Sequence, residues 1–209
     1  MELIDYLNQY FLTGKQLIEQ AKISATQLSE YQKNKLMPKP SYRLKVTTEC
    51  NSFFGAHDEQ YTIEYYPAGY LSWLGILKME NNPDVVYDIF SKRYKSTIKD
   101  LKLKGHNTLD QKLATQLDTH INDEWQHFLD GTYGLCTRTG LPEDIAAKEF
   151  SICQINELIS ETDLTANQLQ QLTRAVDLLD SSSALFAPHE RERSSRKRLI
   201  NDVRREYKL

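Results

Sequence analysis

The stretch WQHFLDGTYGLCTRTGLPEDIAAKE, residues 125–149, decides the fold, because a link with three glycines joins two helix-like segments there. Gly131 favours a helix end, since glycine adopts positive φ at low cost. Pro142, followed by Glu143 and Asp144, suits the first turn of a new helix. The preceding helix is predicted from apolar residues that recur at steps of three and four: Leu109, Leu113, Leu117, Ile121, Trp125 and Phe128. We therefore expect an ordered loop over residues 131–141, and long ordered loops often carry function.

The composition predicts a mainly α protein of one or two globular domains. The 209 residues are 40% hydrophobic and 26% charged, with only eight glycines and six prolines. The sequence contains no run of eighteen apolar residues, so no membrane-spanning helix is expected. The N-terminus lacks the apolar core of a signal peptide. Three cysteines form neither an even set nor a CxxC pair, which favours a cytoplasmic location.

The N-terminal third predicts two short helices and a hairpin. Thr13 and Gln16 form a capping-box pattern before the first of these helices, and the second is expected from about Ala25 to just before Pro38. Such a pair is the helix-turn-helix arrangement. Apolar and polar residues then alternate over 42–48 and 61–65, which predicts two strands joined by a long loop over 51–59.

These residues resemble the DNA-binding N-terminus of MerR-type regulators. The residues that carry the resemblance are Leu17-Ile18, Ile23-Ser24, Leu28, Tyr31 and Leu36-Met37-Pro38. That family usually has Gly at the positions of Lys22 and Lys35, and Arg at the position of Ser29. The resemblance implies a winged helix-turn-helix-like module over residues 1–80, which could bind DNA or serve only as a scaffold for protein contacts. The apolar stripes that follow predict a helical domain over 81–209 that ends in a basic helix or tail.

The whole chain also resembles a bacterial family labelled as natural-product biosynthesis proteins. The resemblance is carried by Met37-Pro38, Ser41-Tyr42-Arg43, the run Gly131–Cys136, and Pro142-Glu143. It implies a genomic setting and supplies no catalytic residues.

Charge is uneven along the chain. Residues 1–45 carry seven Lys/Arg against four Asp/Glu, residues 189–209 carry eight against four, and the middle carries eleven against twenty-one. The basic ends could contact nucleic acid or dock on the acidic body. If the module binds DNA, the predicted contact residues are Thr26, Gln27, Lys33, Arg43 and Lys45. DNA, a partner protein and a second copy of the chain are the candidate partners, and no membrane is expected.

The 131–141 loop offers two kinds of chemistry. Tyr133 and Arg138, with Trp125 beside them, could hold an anionic ligand, because a guanidinium binds carboxylate or phosphate in a fork. Cys136 could be a nucleophile with His127 as its base. The alternatives are an inert buried Cys136, and Arg138 anchoring the loop through Asp130 or Glu143.

A metal site is the weakest of the candidates. His120, Glu124 and His127 stand at i, i+4 and i+7 on one helical face, and imidazole and carboxylate are metal ligands. Spacing alone is weak evidence, so no metal and no cofactor is predicted.

The sequence thus predicts a non-catalytic cytoplasmic binding or regulatory protein, with DNA binding through the N-terminal module as its most concrete form. No phosphate loop, GxGxxG, GxSxG or HExxH motif supports an enzyme. The alternative is an accessory protein or enzyme of bacterial natural-product biosynthesis with a small-ligand pocket at residues 127–143.

Overall fold

The computed structural model describes residues 2–209, of which 62% are helical, with one small antiparallel sheet. The elements in chain order are α1 Glu2–Tyr10, β1 Phe11–Thr13, α2 Gly14–Ala21, α3 Ala25–Lys33, β2 Tyr42–Ser52, β3 Gly55–Pro67, α4 Tyr70–Leu77, α5 Pro83–Leu103, α6 Gln111–Ala114, α7 Leu117–Leu129, α8 Thr132–Cys136, α9 Pro142–Ile159, α10 Ala166–Ser182 and α11 Asp202–Tyr207. A 3-10 turn at Arg191–Arg193 and a π-helical turn at Lys197–Asn201 precede α11.

Two capping boxes fix the α2–α3 pair. The predicted box at Thr13 and Gln16 is confirmed, and Ser24 and Gln27 form a second box at the start of α3. Lys22 ends α2 in the left-handed conformation, with φ of 53°. This residue turns the backbone sharply, so that α3 begins three residues later.

The hairpin is longer and its turn shorter than the sequence predicts. β2 and β3 pair from Tyr42↔Tyr65 to Ser52↔Gly55, so the expected loop over 51–59 is wrong and a two-residue turn, Phe53-Phe54, replaces it. Both faces of the outer half are exposed, so no hydrophobic alternation marks its strands. β1 pairs with β3 on the other side and completes the strand order β1-β3-β2.

One hydrophobic core crosses the predicted boundary at residue 80. The rings of Trp73 and Phe128 lie 5.0 Å apart, and Phe90 lies 5.1 Å from Phe128. The Trp73 indole N–H donates to the Leu36 carbonyl oxygen at 2.9 Å, so the α3 end packs on the same aromatic group. The N-terminal module and the helical domain are therefore joined through shared side chains.

The predicted stripe before residue 129 forms two helices. α6 ends at Ala114, and α7 begins at Leu117, since Thr115 and Gln116 interrupt the α-helix. After α7, Gly131 adopts φ of 83° as predicted, and Pro142 occupies the first turn of α9. The predicted loop between them contains the short helix α8.

Three glycines of this link touch the N-terminal module. A Cβ at Gly131 would lie 2.7 Å from the Lys39 carbonyl oxygen, and one at Gly140 would lie 2.6 Å from the Tyr70 ring. A Cβ at Gly134 would collide with the Ser41 hydroxyl. Only residues without a side chain allow this close approach.

The basic C-terminal end docks on the acidic body, as one of the two sequence interpretations predicts. Arg204 pairs with Asp177 at 2.8 Å and with Asp180 at 2.7 Å, and Arg196 also pairs with Asp180. These contacts fold the tail against α10. Among residues 2–209, the structure contains no helix of the length and apolarity needed to cross a membrane.

Candidate functional site

The exposed face of α3 carries three of the predicted nucleic-acid contacts. Thr26, Gln27 and Lys33 are all exposed. The Gln27 side chain accepts from the Ser24 backbone N–H at 2.8 Å, so it already has a capping role. Within residues 2–209, Lys33 has no ion-pair partner within 4 Å.

The other two predicted contacts lie at the base of the hairpin. Arg43 and Lys45 are exposed on β2, but the Arg43 guanidinium donates twice to Glu64, at 3.1 and 2.7 Å. Farther out the hairpin becomes acidic, since Glu49 pairs in register with Asp58. An acidic outer half is unfavourable beside phosphates, so only the base of the hairpin suits DNA.

A buried polar cluster lies between α5, α7 and α8. The Glu124 side chain is 7% exposed and accepts a hydrogen bond from the Tyr133 hydroxyl. His120 Nδ1 lies 3.7 Å from Glu124 Oε1, and His120 Nε2 lies 3.2 Å from the Tyr94 hydroxyl oxygen. The cluster thus consists of two hydrogen-bonded pairs, Tyr94 with His120 and Tyr133 with Glu124, and a gap of 3.7 Å separates the imidazole from the carboxyl group.

Burial sets the charge of this cluster. Burial, followed by the nearby carboxylates of Glu149 and Asp123, raises the pKa of Glu124 to about 8. Burial also lowers the pKa of His120, followed by the effect of Lys112. At neutral pH the cluster therefore consists of a protonated carboxyl group beside a neutral imidazole.

The cluster borders a cavity of about 270 Å³. His120, Glu124, His127 and Glu149 are among its lining residues, so the helical face proposed for a metal does face a cavity. The residues that the structure describes contain no group of three or more His, Cys, Asp or Glu side chains suited to a metal ion. The His127 ring instead meets the Tyr133 ring edge-on at 6.4 Å.

The residues proposed for an anion-binding loop are separated. Trp125 is buried in the aromatic core, 5.1 Å from Phe90, and Tyr133 is bound to Glu124. Arg138 is exposed and borders a different cavity. The sequence prediction assumed one irregular loop, whereas Tyr133 lies within α8 at Glu124 and Arg138 lies two residues beyond the end of α8, at the other cavity.

Arg138 is not the predicted loop anchor. Asp130 binds Lys39 at 2.8 Å, and Glu143 binds Arg93 at 2.6 Å, so both predicted carboxylates have other partners. That anchoring prediction is wrong because Lys39 and Arg93, which are distant in sequence, form the ion pairs with these two carboxylates.

Cys136 has the surroundings of a thiol and not of a thiolate. Burial raises its pKa, although the nearby Lys148 ammonium acts in the opposite direction. Among residues 2–209, no hydrogen bond joins Cys136 to His127. The predicted nucleophile–base pair is therefore not assembled in this structure.

Sequence reasoning missed several polar groups near the link. Tyr94 lies in α5 and Glu149 in α9, and the sequence pattern of both helices indicated only their buried apolar faces. The buried hydroxyls of Ser41, Tyr70 and Ser183 have no hydrogen-bond partner within the described part of the chain. No local pattern marks these hydroxyls, because each becomes buried through contacts distant in sequence.

Comparison with known proteins gives a family but no characterised relative. No curated protein matches the chain, and no solved structure matches it. A model of a family of unknown function, DUF6058, matches residues 86–208, which include the Glu124 cluster and the whole 131–141 link. That match covers more than half of the 209 residues, and the chain belongs to this family.

Proposed function

We propose that the chain is a DNA-binding protein that uses a winged helix-turn-helix module at its N-terminus. Support comes first from the chain order of α1, β1, α2, α3, β2 and β3, with β1 hydrogen-bonded to β3. In such a module α3 is the element that enters the major groove, and the hairpin is the wing. Thr26 and Lys33 on α3 and Lys45 on the wing are the expected contacts.

Two backbone features agree with this proposal. Lys22 and Lys35 have φ of 53° and 55°, and they stand where MerR-type regulators usually have glycine. The positive φ at these two lysines supports the proposal, because it is the conformation that glycine adopts easily. Ser29, which replaces the usual arginine, removes one phosphate contact and predicts weaker binding.

The observation that carries the proposal is a set of exposed lysines on and between α2, α3 and β2. Residues 14–45 contain seven basic and two acidic residues. Of the basic ones, Lys39 and Arg43 have carboxylate partners. Within residues 2–209 the other five have no ion-pair partner: Lys15, Lys22, Lys33, Lys35 and Lys45. Lysines without carboxylate partners can neutralise phosphates without first losing an ion pair.

Fluorescence polarisation with random duplex DNA tests this function. We expect binding at low salt that weakens steeply as salt rises, because phosphate contacts release counterions. The double variant Lys33→Gln/Lys45→Gln should reduce the slope of log affinity against log salt by about 1–2. Lys99→Gln/Lys102→Gln, which removes two exposed lysines of α5, is the matched control and should behave as wild type.

Two results would contradict the proposal. One is absence of binding at low salt. The other is equal weakening by Lys99→Gln/Lys102→Gln and by Lys33→Gln/Lys45→Gln, which would indicate attraction by overall charge.

A second candidate is an acid–base or ligand site at Glu124, within the alternative of a biosynthetic accessory protein or enzyme. The observation that favours it is a carboxyl group with a pKa of about 8 at the edge of a cavity, because general acids need a pKa near the working pH. Carboxyl-carbon NMR of Glu124 tests it, and titration near the ordinary value of 4.5 would remove this candidate.

A further inference from the structure

A second cavity lies where the N-terminal module meets the helical domain. Its volume is about 220 Å³. Tyr6, Tyr10 and Phe11 from α1 and β1 form one wall, and Leu185 lies on the opposite domain with Arg138 and Ser183. The cavity therefore combines an aromatic surface with two polar groups that come from the other part of the chain.

The hydroxyl of Ser183 is an unused hydrogen-bonding group. Ser183 is 1% exposed, and its hydroxyl has no partner anywhere in residues 2–209. Buried polar atoms in folded proteins nearly always have a partner, either in the protein or in a bound molecule. Ser183 lines the adjoining cavity, so a rotation about its Cα–Cβ bond would bring this hydroxyl to a ligand there.

Arg138 supplies a positive charge at the same cavity. The guanidinium makes one hydrogen bond within the described chain, to the Asp180 carbonyl oxygen at 3.3 Å. In the same range of residues it has no carboxylate within salt-bridge distance, since Asp130 and Glu143 are held by other cations. Its forked donors remain available, and they match the two oxygens of a carboxylate.

We propose that this cavity binds a small carboxylate with an apolar body, with Arg138 on the carboxylate and the Ser183 hydroxyl as a second hydrogen-bonding partner. Size limits the ligand, because a dry cavity of about 150 Å³ is enough for benzene. A volume of about 220 Å³ accepts one ring or a short alkyl chain with its acid group. The aromatic wall would contact that apolar body.

The location of the cavity gives binding a consequence for the module. β1 leads directly into α2 and also pairs with β3, through Phe11↔Pro67. A ligand held between β1 and Ser183 would fix the strand that carries the helix-turn-helix pair. The prediction that ligand binding changes the DNA affinity rests on the proposed function. The prediction that the cavity binds a ligand does not.

Isothermal titration with phenylacetate tests the cavity directly. A probe of about ten non-hydrogen atoms should bind with a Kd of about 1–10 mM. Phenylethylamine, which has the same ring and the opposite charge, should not bind. Arg138→Gln should weaken phenylacetate binding about ten-fold or more, because a charge-assisted fork is lost. Arg198→Gln, an exposed arginine on the tail, is the matched control and should leave it unchanged.

A second variant keeps the test independent of Arg138. Leu185 is 41% exposed, so Leu185→Trp should fill the cavity and abolish binding while thermal unfolding still shows a folded protein. Equal binding of phenylethylamine and phenylacetate, full binding by Arg138→Gln, or no heat from phenylacetate at about 10 mM would overturn the proposal. Phenylacetate binding without any change in DNA affinity would keep the site and remove only its link to the module.

Discussion

Raising the pH should destabilise the protein through Glu124, the one of its buried carboxyl groups with the best-defined shift in pKa. Its pKa is about 8 in the folded chain, whereas the ordinary value of 4.5 applies to the unfolded chain. Between these two pH values the folded state holds a proton that the unfolded state has released. Stability therefore falls as pH rises through this window and becomes level above the folded pKa. Glu124→Gln removes the titration and keeps an oxygen acceptor for the Tyr133 hydroxyl.

The magnitude follows from the two pKa values. The difference of roughly 3.5 corresponds to a total cost of about 5 kcal/mol at high pH, at about 1.36 kcal/mol for each pKa unit. Most of this loss of stability accumulates below pH 7. In that range His106 and His120 have lowered pKa values, so their contribution to stability rises with pH and offsets part of the loss. Between pH 7 and 9 Glu124 contributes a loss of about 1.4 kcal/mol. The buried thiols of Cys136 and Cys153, whose pKa values are also raised, contribute to wild type and to Glu124→Gln alike.

Urea unfolding at pH 7, 8 and 9, followed by the fluorescence of Trp73 and Trp125, measures this loss. The stability of Glu124→Gln relative to wild type should increase by about 1.4 kcal/mol across the range. Glu206→Gln changes an exposed carboxyl group on α11 and should follow wild type at every pH. Parallel curves for wild type and Glu124→Gln would refute the reasoning, because they would mean that Glu124 is already ionised at pH 7.

Two further substitutions test the packing of the link and the role of the hairpin tip. Gly131→Ala should lower stability by about 1–3 kcal/mol in thermal unfolding, because φ is 83° and the new Cβ would lie 2.7 Å from a carbonyl oxygen. Gly75 lies inside α4, and a Cβ there would meet nothing within 4 Å, so Gly75→Ala should raise the stability of the protein by up to about 1 kcal/mol. A lower stability of Gly75→Ala would contradict the packing argument. The double variant Phe53→Ser/Phe54→Ser should leave the melting temperature within about 1 °C, since these side chains are 97% and 96% exposed; a larger fall would mean that the tip packs on the body.

Local signals in the sequence predicted the elements that local chemistry controls. The capping box at Thr13, the helix end at Gly131 and the start of α9 at Pro142 are confirmed because a few neighbouring residues decide each one. The prediction of a long loop over 51–59 was wrong because the exposed ends of the two strands carry no hydrophobic alternation. The mainly helical class with a small hairpin is likewise confirmed.

The candidate sites were less accessible to such reasoning. The sequence pointed to Glu124 and His120 only as possible metal ligands, through their spacing, and had no means of pairing them with Tyr94 and Tyr133. The position of Arg138 beside Ser183 depends on the chain returning after α10. Contacts of this kind bring together residues about 45 apart, and neither periodicity nor caps encode them.

The close approach of the three link glycines also bears on where this family can fold on its own. The family match begins at residue 86, yet the surfaces that Gly131 and Gly140 touch belong to Lys39 and Tyr70. The shared aromatic core likewise needs Trp73. A polypeptide that began at residue 86 would expose this apolar face to water. The start of the family match therefore lies inside a folding unit of this chain, and the preceding residues form part of its core.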